Sequence, residues 1–315
     1  MSDPYFARVQ ALLTRPELSA PISDPELAVR LMGGMPRPDA YVEPAVAVRE
    51  TSVPGPHGDV AVRVYSTTAG AAAAPLLVWC HGGGWVGGDL EMPEADLVAR
   101  ELVARVGALV VSVDYRLAVD GVHYPVPNDD VEAAYRWAVT SAADLGADAS
   151  RVFIGGASAG ANLVAGTVHK LRDEGGPLPR AVLLAYPLVH PVLPDLSEEL
   201  QDKVAPLSPM LAFAPDVLQP VVENYLGGPV AAATPYAMAA LGDLTSYPPT
   251  LVVNCEYDAL RASGEAFTTQ LRAAGVLVEE MCAEGVLHGH LNHPWLPAAQ
   301  DSLTAMAAWL TGERP

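Results

Sequence analysis

The chain has 315 residues, half of them hydrophobic, which is enough for one large α/β core with an insertion. A formal net charge of -19, with lysine only at Lys170 and Lys203, repels phosphate backbones and argues against nucleic acid as a partner. No run reaches the ~18 apolar residues of a membrane span, and the N-terminus has acid and proline where a signal peptide is basic and then apolar, so a cytoplasmic protein without a membrane partner is expected.

In chain order, residues 1–46 read as short helices broken by Pro16, Pro21 and Pro36. Asp59 to Tyr65 alternates polar and apolar residues, which predicts an antiparallel strand near the start of a sheet. Leu76 to Cys80, Ala108 to Asp114, Arg151 to Gly155, Ala181 to Tyr186 and Thr250 to Asn254 are continuous apolar runs, and another strand lies near Leu277 to Cys282. Runs of this kind suit strands buried on both faces of a parallel sheet. Amphipathic stretches separate them: Pro93 to Val106, Asn128 to Ala143, Ser158 to Leu171, Ala262 to Ala274 with Gly275 as a stop, and Pro297 to Leu310. This alternation predicts a mostly parallel α/β sheet with right-handed crossovers. Residues 188–235 break the rhythm, being rich in proline with one helical patch near Val217 to Tyr225. Four segments follow: 1–46 and 188–235 as two pieces of one helical lid, 47–187 and 236–315 as the two parts of the core. Cys80, Cys255 and Cys282 are odd in number and widely spaced, which predicts buried small hydrophobes in a reducing compartment, not a disulfide frame or a zinc site.

Gly156-Ala157-Ser158-Ala159-Gly160 fits G-x-S-x-G between a predicted strand and a predicted helix, the context in which that motif lifts a serine above a sheet edge at a helix N-terminus. Its other reading is a glycine-rich turn capped by serine. His81-Gly82-Gly83-Gly84-Trp85 follows the strand ending at Cys80. Amides of Gly82, Gly83, Gly84 and Ala159 are the expected oxyanion donors, because glycines let backbone N–H groups approach a substrate oxygen. A phosphate loop would need a Walker lysine, and none follows.

The sequence from about Leu76 onward resembles the hormone-sensitive-lipase-like, HGGG-bearing carboxylesterases of the α/β-hydrolase superfamily. The likeness rests on HGGGW, Gly88-Asp89, Asp114-Tyr-Arg-Leu-Ala118, the elbow, Tyr186-Pro187 and the surroundings of Asp258 and His288. It implies an α/β-hydrolase fold with a helical lid, no cofactor, and a triad in the order serine, acid, histidine. From the residues alone Asp258 also suits a helix N-cap, and His288-Gly-His290-x-x-His293 also suits an exposed loop or a metal cluster. The family's acid segment and its histidine followed by glycine map onto Asp258 and His288.

The implied activity is hydrolysis of short- to medium-chain esters of small molecules through an acyl-enzyme. Amide, hydrazide or lactone hydrolysis by the same triad is the alternative, and a non-catalytic ligand-binding protein of the same fold is a third reading. Trp85 is expected to bind substrate as a pocket wall or to contact the lid, and His290 is expected to line the pocket, making it more polar because family members commonly carry Phe there. Asp89 is expected to hydrogen-bond the glycine loop. A homodimer is compatible with the resemblance.

Overall fold

The computed structural model describes residues 37–69 and 73–312. Eight strands form one sheet: β1 Ala47–Val53, β2 Val60–Ser66, β3 Ala74–Cys80, β4 Leu109–Asp114, β5 Ala147–Ala157, β6 Val182–Ala185, β7 Thr250–Tyr257 and β8 Val278–Leu287. Their spatial order is β1-β2-β4-β3-β5-β6-β7-β8. β2 runs antiparallel to β1 and β4, and every pairing from β4 to β8 is parallel. The alternation read in residues 59–65 thus belongs to the antiparallel end of the sheet.

The helices are α1 Pro93–Val106, α2 Val126–Ser141, α3 Ala159–Asp173, α4 Glu198–Val204, α5 Pro215–Leu226, α6 Arg261–Ala273 and α7 Pro297–Thr311. Strand β3 has every residue buried, and its neighbours in sequence feed two different cores. Leu76, Val78 and Cys80 join Val131, Leu163 and Phe267 of α2, α3 and α6 on one face. Leu77 and Trp79 join Leu102, Leu303 and Met306 of α1 and α7 on the other. Period-2 side-chain direction therefore divides one apolar run between two helical layers.

Strand β1 was not anticipated, because its side chains are mostly exposed and carry little apolar signal. Short, charged α4 was not anticipated either. Cys80 and Cys255 are buried as expected, whereas Cys282 is exposed on the outer strand β8. The expected lid piece 1–46 lies mostly outside the described residues. At its described end Tyr41 packs edge-on against Trp295 and donates to Glu101 of α1.

Candidate active site

Strands β3, β5, β7 and β8 end at the same edge of the sheet, the edge where parallel α/β folds bind ligands. β5 passes directly into α3 through Ser158, whose backbone is forced to φ 51° and ψ -118°. That conformation is costly for a non-glycine residue and persists where its surroundings over-determine it. Here Ser158 N donates to Ala185 O at 2.8 Å, and a β-carbon on Gly160 would lie 2.3 Å from the carbonyls of Cys80 and His81. The small elbow residues allow α3 to start directly against the end of β3.

Asp258 follows β7 and is fully buried. Its Oδ1 accepts Leu260 N at 2.9 Å and its Oδ2 lies 2.7 Å from His288 Nδ1. One oxygen secures the turn into α6, whose N-cap position is Leu260 and not Asp258, and the other faces the histidine. His288 follows β8, and its Nε2 lies 2.8 Å from Ser158 Oγ. A carboxylate accepts only, so Nδ1 carries the proton and Nε2 offers its lone pair to the serine hydroxyl. The imidazole is braced edge-on by Tyr186 at 4.9 Å and Phe213 at 4.7 Å between ring centroids.

A family model described as the alpha/beta hydrolase fold matches residues 77–292. The chain belongs to this family. It is 33% identical to Esterase LipI of Mycobacterium tuberculosis over 84% of this chain and 82% of that protein. It is 36% identical to Carboxylesterase NlhH of the same organism over 78% of this chain and 75% of that one. Among solved structures, the esterase of Pyrobaculum calidifontis superposes with a TM-score of 0.80 at 28% identity, covering 99% of both chains. These likenesses place the chain in the hormone-sensitive-lipase-like carboxylesterase branch of the α/β-hydrolase family.

In this member of the family, the glycine loop differs from expectation at its first glycine. Gly82 N donates to Glu94 Oε2 at 2.6 Å, so that amide is already committed. The amides of Gly83, Gly84 and Ala159 have no acceptor among the described residues and remain candidates for a substrate oxygen. The loop's start is fixed by His81, whose ring stacks on Tyr115 at 4.5 Å. His81 Nδ1 donates to Gly82 O at 2.7 Å, and Tyr115 Oη donates to His81 O at 2.8 Å.

His290 needs correction as a pocket residue, and Trp85 proves a contact to the 188–235 insertion and not a pocket wall. His290 does not line the pocket: it is fully buried, with Nδ1 3.2 Å from Cys255 Sγ and Nε2 2.8 Å from Ser302 Oγ. The reason is local. Gly289 adopts a left-handed φ of 78°, and the following 3₁₀ turn His290–Asn292 directs the second histidine into the core behind His288. Burial lowers its pKa to about 3, so it is a neutral packing residue. Trp85 is 1% exposed and stacks on Tyr225 of the 188–235 insertion, so it joins loop to insertion and offers a substrate little surface.

Asp89 does not reach the glycine loop; its Oδ1 accepts Glu91 N and Met92 N and shapes the turn before α1. The side chain that does hold the loop is Glu94, on the first turn of α1 and 1% exposed. Tyr186 Oη and Asn292 Nδ2 both donate to its Oε1, and Glu94 N donates to Asn292 Oδ1 at 3.2 Å. Sequence reasoning missed Glu94 and Asn292, and read Tyr186 only as part of the family likeness. An acid near a helix N-terminus is ordinary, and the partners come from distant parts of the chain.

Proposed function

We propose that the protein is a serine carboxylesterase acting on short- to medium-chain esters of small molecules, with Ser158 as nucleophile, His288 as general base and Asp258 as the group that orients the base. The observation that carries this reading is the unbroken hydrogen-bond path from Asp258 through His288 to Ser158, at 2.7 and 2.8 Å, beside three uncommitted amides.

The mechanism follows from those atoms. Ser158 Oγ attacks the ester carbonyl carbon while His288 Nε2 takes its proton. The carbonyl electron pair moves onto oxygen, and the amides of Gly83, Gly84 and Ala159 receive that charge. Asp258 stabilises the imidazolium and keeps its Nδ1–H directed away from the serine. Collapse breaks the bond to the alkoxy oxygen, which leaves as alcohol with the proton from His288. Water then attacks the acyl-serine, giving its proton to the same nitrogen; collapse breaks the bond between the acyl carbon and Ser158 Oγ, which takes that proton back from His288 as the acid is released. Each group needed is a side chain or amide of this chain, so the reaction calls for no cofactor.

The 188–235 segment is the lid of this reading. Phe213 meets His288, and a β-carbon on Gly84 would lie 3.6 Å from Val221 of α5. An apolar cover so close to the serine favours small, uncharged acyl groups.

A fluorophosphonate probe is expected to label the wild-type protein at Ser158 and to leave Ser158→Ala unlabelled. A series of p-nitrophenyl esters from acetyl to octanoyl is expected to turn over faster than the matched anilides. No labelling would overturn the serine mechanism, and faster anilide cleavage would move the assignment to amide hydrolysis.

A further inference from the structure

The buried carboxylate of Glu94 belongs to none of the chemical steps above, yet it touches the elements that perform them. One oxygen holds the amide of Gly82, the residue before the proposed oxyanion donors. The other receives Tyr186 Oη, from the ring that braces His288 edge-on. It also receives Asn292 Nδ2 at 3.4 Å, and the same Nδ2 lies 3.1 Å from Gly289 O, next to His288. Asn292 Oδ1 in turn accepts Glu94 N, so the two residues clasp each other. A β-carbon on Gly82 would lie 2.6 Å from Glu94 Oε2 and 3.1 Å from Ser158 Cβ, which shows how little room separates carboxylate, loop and nucleophile.

An unpaired carboxylate at this depth is expensive, and the helix N-terminus already favours an acid at the surface without that cost. Every polar group reaching the two oxygens is a donor, so the network is satisfied by a carboxylate and by no apolar substitute. Committing the Gly82 amide also fixes the peptide plane from which Gly83 and Gly84 continue. Oxyanion donors act through such preorganisation, since their placement costs nothing at the moment of reaction.

We propose that Glu94 is a positioning residue: its carboxylate anchors Gly82 so that the amides of Gly83 and Gly84 face the Ser158 adduct, and it ties that loop through Tyr186 and Asn292 to the segment bearing His288. This rests on the esterase reading above and adds a residue to it.

The test compares Glu94→Ala, Glu94→Gln and Tyr186→Phe with wild type, all shown folded by near-UV circular dichroism. Readouts are kcat and KM on a short p-nitrophenyl ester and affinity for an alkyl trifluoromethyl ketone, which forms a tetrahedral oxyanion on the serine. Glu94→Ala is expected to lower kcat about 100-fold with KM nearly constant, the scale of a lost oxyanion donor, and to weaken the ketone by the same factor. Glu94→Gln keeps an acceptor for Gly82 and is expected to recover about tenfold of that loss. Tyr186→Phe is expected to lose about tenfold in kcat and ketone affinity together, KM again holding.

Folded Glu94 variants with unchanged ketone affinity, or with a loss confined to KM, would overturn the proposal. If the alanine protein does not fold, Glu94→Gln and Tyr186→Phe decide alone: matched losses in kcat and ketone affinity support it, and wild-type values in either variant overturn it. Failure of wild type to react with fluorophosphonate would instead sink the esterase reading, so the two failures are distinguishable.

Discussion

Trp85 lies flat on Tyr225, with ring centroids 4.4 Å apart and planes 8° from parallel. The first residue follows the glycine loop and the second sits on α5 of the insertion, so insertion and glycine loop are packed together. Tyr225 Oη also donates to Asn128 Oδ1 at 2.6 Å, and Trp85 Nε1 to Asn162 Oδ1 at 3.3 Å. Tyr225→Ala is expected to cost about 3–5 kcal/mol in urea unfolding, as for a buried aromatic truncated to a cavity. Because the cavity opens against the loop, kcat/KM is expected to fall as well. Tyr225→Phe keeps the stack and strands the Asn128 acceptor, which sets its stability loss at about 1–3 kcal/mol with kcat preserved. Equal effects of both variants on kcat would show that the stack does not steady the loop.

Asp258 serves two masters with two oxygens, and a single substitution separates them. In Asp258→Asn the side-chain oxygen can still accept Leu260 N, while an amide facing His288 favours the wrong imidazole tautomer. Turnover is expected to fall about 10⁴-fold, as for other triads with this change, while the midpoint of thermal unfolding moves by only a few degrees. A comparable kcat in the variant would remove Asp258 from the proposed triad.

The juxtaposition of Ser158, His288 and Asp258 was legible because its signals are local. Ser158 announces itself by the small residues that its turn requires, and the glycine loop by its place after a strand. Glu94 was not legible. Its partners Gly82, Tyr186 and Asn292 are brought together by the fold, and in sequence it looks like any acid on a first helical turn. His290 was misplaced for the converse reason. Adjacency to His288 suggested a shared pocket, but the left-handed Gly289 reverses the chain and sends the second ring into the core. The layered sheet was readable from β3 to β7, where burial on both faces makes continuous apolar runs. It was unreadable at β1, where exposure erases the pattern.

His290 carries a pH prediction. Its pKa falls from 6.5 to about 3 in the fold, through burial first and the charges of His288 and His293 second. A histidine depressed in this way adds stability above its unfolded pKa, and that stability is lost as pH falls below about 6.5 because the unfolded chain binds the proton that the fold refuses. His290→Gln cannot titrate. The variant is expected to be less stable at pH 7, having lost the contacts to Cys255 and Ser302, and its deficit is expected to narrow at pH 5. Urea midpoints at the two pH values check this; a deficit that widens on acidification would contradict it. Substrate ranking is expected to stay the same, since the ring does not face the pocket.

Phe213 presents its half-buried ring to His288 at 4.7 Å from a backbone held at φ 47°, a conformation that favours glycine. If the 188–235 segment covers the proposed serine site, a phenylalanine kept there against the His288 imidazole is expected to limit the width of its mouth. Phe213→Ala relieves that limit. Relative kcat/KM for branched over acetyl esters is expected to rise about tenfold, the scale of a few methylenes in an apolar pocket. Phe213→Gly would relax the backbone as well, so agreement between the two variants would assign the effect to the lost ring. An unchanged ratio in Phe213→Ala would mean that acyl groups enter on another side of His288, and the cover would then govern access without governing size.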